Sequence, residues 1–186
     1  LLTHYRRMRC LNSVLRRRAS FSGAFMRLIH TADIHLDASF AAAGMPHTFG
    51  NRRRKRLRET FGAILRRARE WPADAVLIAG DLFEQERFSR DTVAFLQEQL
   101  RALGSIPVYI APGNRDPYVV TSPYASEMWP DNVHIFRKPQ WQSFAHPRMP
   151  LTVHGFAFDG TELSSNPFGT IRVPEDGRVH VALAHG

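Results

Sequence analysis

The sequence predicts an α/β domain, and three observations carry that prediction. Apolar runs of strand length, such as residues 75–79, alternate with segments whose apolar residues recur at helical spacing. The short apolar run that follows Met26 and the runs over 75–79 and 107–111 each lead into polar residues: Asp33-Ile34-His35, Gly80-Asp81 and Gly113-Asn114-Arg115-Asp116. Polar residues at the carboxyl ends of strands line the ligand crevice of such sheets. The composition permits this reading, since 186 residues with 44% hydrophobic and 23% charged side chains suffice for one domain with a sizeable core.

Residues 1–25 form a basic N-terminal extension containing Arg6, Arg7, Arg9, Arg16, Arg17 and Arg18 and no acid. They supply six of the formal net charge of +8, so the excess charge belongs to this segment and is weak grounds for nucleic-acid binding. The segment is read as disordered, or as resembling a transit peptide, with Met26 expected to open the domain at 26–186. Cys10 is the single cysteine; an intrachain disulfide is excluded, which fits a reducing, cytoplasmic setting. No apolar run approaches the roughly 20 residues of a membrane span, so no membrane association is expected.

In chain order, a short strand precedes Asp33, and residues 38–50 read as a surface loop. Asn51 is read as the cap of a helix with an apolar stripe of Leu57, Phe61, Ile64, Leu65 and Ala68. Its other face carries Arg52, Arg53, Arg54, Lys55, Arg56, Arg58, Arg66, Arg67 and Arg69, which suits a solvated surface or contact with phosphates. Trp71-Pro72 ends it. The continuous run 75–79 is a strand buried on both faces. Ser89 caps a second helix with the stripe Val93, Leu96, Leu100 and Leu103, closing near Gly104, and 107–111 is the third strand. Ser122-Pro123 begins a short helix reaching about Met128, and 133–136, 151–158 and 179–184 read as further strands. The last of these leads into His185-Gly186.

Asp33 and His35 seed a candidate metal site. In an extended segment, side chains two apart share a side, and a carboxylate with an imidazole suits Mn, Fe or Zn better than Mg or Ca. Asp81, Asn114 and His185 follow later strands in the same way. His30 and His154 are read as packed or hydrogen-bonded histidines and Phe83 as core beneath Asp81, whereas Asp37 and Asp159 receive no role.

Taken together, Asp33-x-His35, Gly80-Asp81, Gly113-Asn114 and His185-Gly186 resemble the motif series of the calcineurin-like metallophosphoesterases. The opening Leu28-Ile29-His30-Thr31-Ala32-Asp33-Ile34-His35-Leu36-Asp37 is similar to the DNA-repair exonuclease branch, the SbcD-like nucleases, and Val153-His154-Gly155-Phe156-Ala157-Phe158 is similar to a strand of that branch. The resemblance implies a four-layer sandwich of two mixed sheets flanked by helices, incomplete at the C-terminus, and two divalent ions, usually manganese. It would place Asp33 and His35 on the first ion, Asp81 between both, and Asn114 and His185 on the second.

Two departures accompany the resemblance. The family continues with a Gly-His-x-His motif and a DNA-capping region, which this sequence does not reach; a fragment with three protein ligands per ion is therefore expected. The family's Gly-Asn-His-Asp is here Gly-Asn-Arg-Asp, so Arg115 stands where the family has its catalytic histidine, followed by Asp116 as an orienting or exposed carboxylate, and these two are the candidate catalytic residues. Arginine can stabilise phosphoryl charge but cannot give up a proton near neutrality.

The expected function is a metal-dependent phosphodiesterase, a DNA exonuclease of DNA repair, with DNA and a coiled-coil ATPase as partners. The alternatives are a small-molecule phosphatase or cyclic-nucleotide phosphodiesterase on the same site, and a catalytically silent subunit that binds DNA or the ATPase.

Overall fold

A computed structural model describes residues 25–38, 47–163 and 166–186. Apart from Phe25, the basic extension expected over 1–25 lies outside the described residues, as do positions 39–46 of the expected loop.

The first sheet contains β1 (Leu28–Thr31), β2 (Ala75–Ala79), β3 (Val108–Ala111) and β4 (Val133–Ile135), in the order β1-β2-β3-β4. All its pairings are parallel. The expectation of a mixed sheet fails here because helical crossovers return the chain in one direction. β2 and β3 occupy the middle, and all their residues are buried, as the unbroken apolar runs require.

α1 (His47–Glu70) and α2 (Arg90–Arg101) cover one face. Phe61, Leu65 and Ala68 of α1 meet Leu96 and Leu100 of α2 in a core that also takes Val76, Ile78, Val108 and Ile110 from the sheet. Each large aliphatic or aromatic side chain so buried contributes about 1.5–3 kcal/mol. α1 starts a turn earlier than the expected cap at Asn51. The Arg53 guanidinium lies 4.9 Å over the Phe49 ring, a contact four residues apart that favours this additional turn. The Asn51 side chain instead accepts from Arg54. Ser89 does cap α2, accepting from the Thr92 amide at 3.2 Å.

The second sheet contains β5 (Gln142–Ala145), β6 (Leu151–Gly155) and β7 (Val179–Leu183). It is mixed, with β5 antiparallel and β7 parallel to β6. The two sheets pack face to face through Leu77, Ala79, Tyr109 and Ala111 on one side and Leu151, Val153 and Leu183 on the other. The described residues therefore form helix, sheet and sheet layers. β6 stops at Gly155, short of the expected 158, because the backbone then bonds to three separate segments. Phe156, Ala157 and Phe158 donate to Leu183, Lys138 and Pro112 respectively. A Cβ at Gly155 would run into the Phe136 ring, so glycine permits this crossing.

α3 (Pro123–Ser126) has Ser122 at its cap and Pro123 in its first turn, but ends before the expected Met128, which is fully in solvent. Among the described residues, no helix is long and apolar enough to cross a membrane.

Candidate metal centre

The first loop of the site does not continue β1. Asp33 and His35 take left-handed backbone angles, with φ of 56° and 51°, and Asp81 joins them at 54°. Such angles cost non-glycine residues about 1–3 kcal/mol each and persist where surrounding contacts impose them. Here those contacts are between loops. The amides of Asp33, His35 and Leu36 donate to the carbonyls of Gly80, Asp81 and Leu82 at 2.9–3.2 Å. Ile34 is buried between them, so Asp33 and His35 still project to one side, though by left-handed turns and not by strand alternation.

Two glycines clear the space. A Cβ on Gly80 would approach Gly113 Cα and His185 Cβ at 2.7 Å, and one on Gly113 would strike the Asp81 carboxylate. The His185 ring fills this clearance at the end of β7, so second-sheet and first-sheet side chains meet here.

Asp33, Asp81 and His185 each bring one donor atom within 4.8 Å of the others. His35 Nε2 lies 3.7 Å from Asp33 Oδ1 and 3.7 Å from Asp81 Oδ2. On the opposite side, His185 Nε2 lies 3.5 Å from Asp81 Oδ1 and 3.0 Å from Asn114 Oδ1. The two oxygens of the buried Asp81 thus face different histidines. All five residues expected to be ligands share this cluster.

The donor chemistry fits a cation. His185 Nδ1 donates to the Ala79 carbonyl at 3.0 Å, which leaves a lone pair on Nε2 in the neutral ring. In that tautomer Nε2 lies beside the Asn114 side-chain oxygen, and the two atoms can serve together as donors to one ion. His35 is set in the same way, with Nδ1 committed to Glu84 Oε1 at 2.9 Å and Nε2 turned toward both aspartates. Glu84 carries no signal in the sequence, because an acid three residues beyond Asp81 is commonplace.

Arg115 is exposed, and its backbone amide donates to Asp81 Oδ1 at 3.0 Å. Asp116 was expected as an exposed turn carboxylate or an orienting group, and with Arg115 as a catalytic candidate. Its side chain is completely buried and accepts from the amides of Asp81, Leu82 and Gly113 and from the Tyr124 hydroxyl, at 2.7–2.9 Å. It therefore holds the two loops together and has no access to a substrate. Burial pushes its carboxyl up to about 6, against the lowering effect of its four donors. Phe83 is core beneath the site, as expected, and His154 is buried and hydrogen-bonded. His30 is exposed on the edge strand β1, and partial burial lowers its pKa. Asp37, unassigned from sequence, accepts from the Ser89 amide and the Thr92 hydroxyl at the start of α2.

Comparison with known proteins agrees with this geometry. Over 167 residues the chain is 29% identical to the uncharacterized metallophosphoesterase YhaO of Bacillus subtilis, covering 87% of this chain and 40% of that protein. Over 123 residues it is 31% identical to the DNA double-strand break repair protein Mre11 of Aeropyrum pernix, covering 65% of this chain and 28% of that protein. The matches thus span well under half the length of either relative. Residues 26–185 match the calcineurin-like phosphoesterase family, and the chain belongs to that family.

Proposed function

We propose that this chain carries the metal-dependent phosphodiesterase centre of a DNA exonuclease of DNA repair, in the SbcD-like branch. The observation that carries the proposal is the division of Asp81, one oxygen toward His35 and Asp33 and the other toward His185 and Asn114. This is the arrangement a bridging carboxylate requires. The similarity to a DNA double-strand break repair protein favours DNA over small phosphoesters.

In this reading Asp33 and His35 would hold one divalent ion, Asp81 would serve both, and Asn114 and His185 would hold the other, with manganese the metal of choice. When bound, such a pair supplies an activated water and neutralises charge on both the attacking and the leaving oxygen. The residues of the chain do the rest. Glu84 and the Ala79 carbonyl engage Nδ1 of His35 and His185 and so orient each ring with Nε2 toward the cluster. Asp116 fixes the amides of Asp81 and Gly113, and Arg115 stands at the rim to stabilise negative charge on the phosphoryl group. A coiled-coil ATPase subunit is the partner this branch implies.

The test is manganese-dependent cleavage of end-labelled DNA by the chain and by Asp81→Asn, beside hydrolysis of p-nitrophenyl phosphate. Cleavage of DNA that is lost in the variant supports the proposal. Hydrolysis of the monoester without DNA cleavage would replace it with a phosphatase, and absence of manganese binding would leave a silent subunit.

A further inference from the structure

A second feature adjoins the metal loops. Asp37, Arg54, Lys55, Arg58, Arg87 and Ser89 line a solvent-open hollow of about 630 Å³. Four cations therefore face one carboxylate. That carboxylate is already engaged, because Asp37 accepts from the Ser89 amide and the Thr92 hydroxyl.

The cations differ in how their charge is answered. Arg58 is held by Asp91 at 2.6 Å and stacks over the Phe95 ring, and Lys55 has only a 3.9 Å contact with the exposed Glu59. Arg54 bonds to the neutral Asn51 side chain, and Arg87 is exposed. Among the described residues neither Arg54 nor Arg87 lies within 4 Å of a carboxylate oxygen. Residues 1–24, 39–46 and 164–165 contain no acid. Unanswered positive charge collected in a concave, wet site is matched by a polyanion whose phosphates stay hydrated on their outer side.

Position supplies the second argument. One wall of the hollow is Asp37, two residues beyond His35. Another is Arg87, on the turn whose Glu84 bonds to His35 and whose Gln85 amide donates to the Arg115 carbonyl. The loops that hold the metal cluster thus continue directly into the basic hollow. Arg54 and Arg58 are four apart on α1, so their side chains emerge on one face about 5–6 Å from each other.

We infer that the Arg54–Lys55–Arg58–Arg87 hollow holds non-scissile phosphates of a nucleic-acid strand whose neighbouring phosphodiester lies at the metal cluster. This rests on the nuclease reading, but the contact is electrostatic and needs no bound metal, so it can be measured apart from catalysis. The charged face of α1 thereby divides: the end nearest the metal loops contacts phosphate, and the remainder is solvated.

The experiment is fluorescence anisotropy of a labelled oligothymidylate with the 186-residue chain in the presence of a chelator, across about 50–200 mM salt. Arg54→Gln with Arg87→Gln is compared with Arg66→Gln with Arg69→Gln, which removes equal charge from exposed positions further along the same helix. The first pair should weaken binding about tenfold at the lower salt and shrink the slope of log K against log salt by about 1.4, or 0.7 for each lost contact to a single strand. The second pair should stay within about twofold of wild type on the same scale. Manganese-dependent hydrolysis of bis(p-nitrophenyl) phosphate by the wild type reports separately on the metal centre. Equal losses in the two pairs, or no oligonucleotide binding by wild type, would overturn the inference. So would displacement of the strand by micromolar thymidine monophosphate, which would mark a nucleotide pocket instead. An inactive metal centre with selective loss in the first pair would sink the nuclease reading and leave the strand contact standing.

Discussion

Glu84 Oε1 accepts the Nδ1 hydrogen of His35 at 2.9 Å, across 49 positions of sequence, and so decides which nitrogen of that ring faces Asp33 and Asp81. Removing this acceptor frees the ring to rotate and to place a hydrogen on Nε2. Partners of this kind are worth about 10- to 100-fold in metal affinity. Calorimetry with manganese should therefore find Glu84→Ala weaker by that factor, with little change in thermal stability, since Glu84 is only partly buried. Unaltered affinity would remove Glu84 from the site.

Gly113 leaves room for the Asp81 carboxylate and the His185 ring. Gly113→Ala should destabilise the fold by about 1–3 kcal/mol, the usual cost of overpacking, and should also displace both metal-facing groups. Gly160→Ala is the control, because a Cβ there meets nothing within 4 Å. Urea unfolding and manganese titration of the two variants give the comparison. A Gly113→Ala protein equal to its control in both measurements would contradict the described packing.

Asp116 joins the Asp81 and Gly113 loops through four donors, one of them the Tyr124 hydroxyl. Its folded pKa of about 6 lies above the ordinary value of 3.8, so the folded state binds the extra proton between those limits. The contribution of this group to stability therefore falls as pH rises through that window, by at most about 3 kcal/mol. The stability advantage of wild type over Asp116→Asn should be larger near pH 4 than near pH 7. Denaturant midpoints at the two pH values check the sign, and a larger advantage at neutral pH would refute it.

His154 titrates in the opposite sense. It lies within a chain of hydrogen bonds from Ser143 through His154 and His180 to Asp176, each 2.8 Å long. Burial, with the neighbouring His180, depresses its pKa below 6.5 against the opposing pull of Asp176. The unfolded chain then binds the proton first, so this contribution is present above pH 6.5 and is lost as pH falls through the folded pKa. Wild type should lose more stability than His154→Gln between about pH 7.5 and pH 5.5. Parallel losses would show that the pair does not sense acid.

In the proposed function Arg115 would supply only charge, where the family motif has a histidine able to handle a proton. Positioned acid–base groups are worth about 100- to 10,000-fold, so Arg115→His should raise manganese-dependent phosphodiester hydrolysis by about tenfold or more while leaving manganese affinity unchanged. Should the wild type be the faster enzyme, Arg115 would be a phosphate clamp in its own right.

By itself the sequence determined the local grammar of this protein. Unbroken apolar runs marked β2 and β3, because buried central strands need apolar side chains on both faces. The serines before α2 and α3 marked their first turns, because the preference for a capping oxygen is a property of neighbouring residues. Gly80-Asp81, Gly113-Asn114 and His185 were legible for a related reason: each follows a strand that ends at the same edge. The four residues of β5, Gln142-Ser143-Phe144-Ala145, are too few to show a period, and α1 began at His47, a turn before Asn51, with Arg53 stacked over Phe49 in that added turn. Tertiary structure alone decided which ring nitrogen each histidine presents. That choice depends on acceptors 49 residues away for His35 and 106 for His185, and on loops held in left-handed angles by contacts with each other. It also withdrew Asp116 from solvent and set Arg87 opposite the basic face of α1. Propensity and periodicity act over a few residues, whereas a side chain's protonation and reach depend on whatever the folded chain brings beside it.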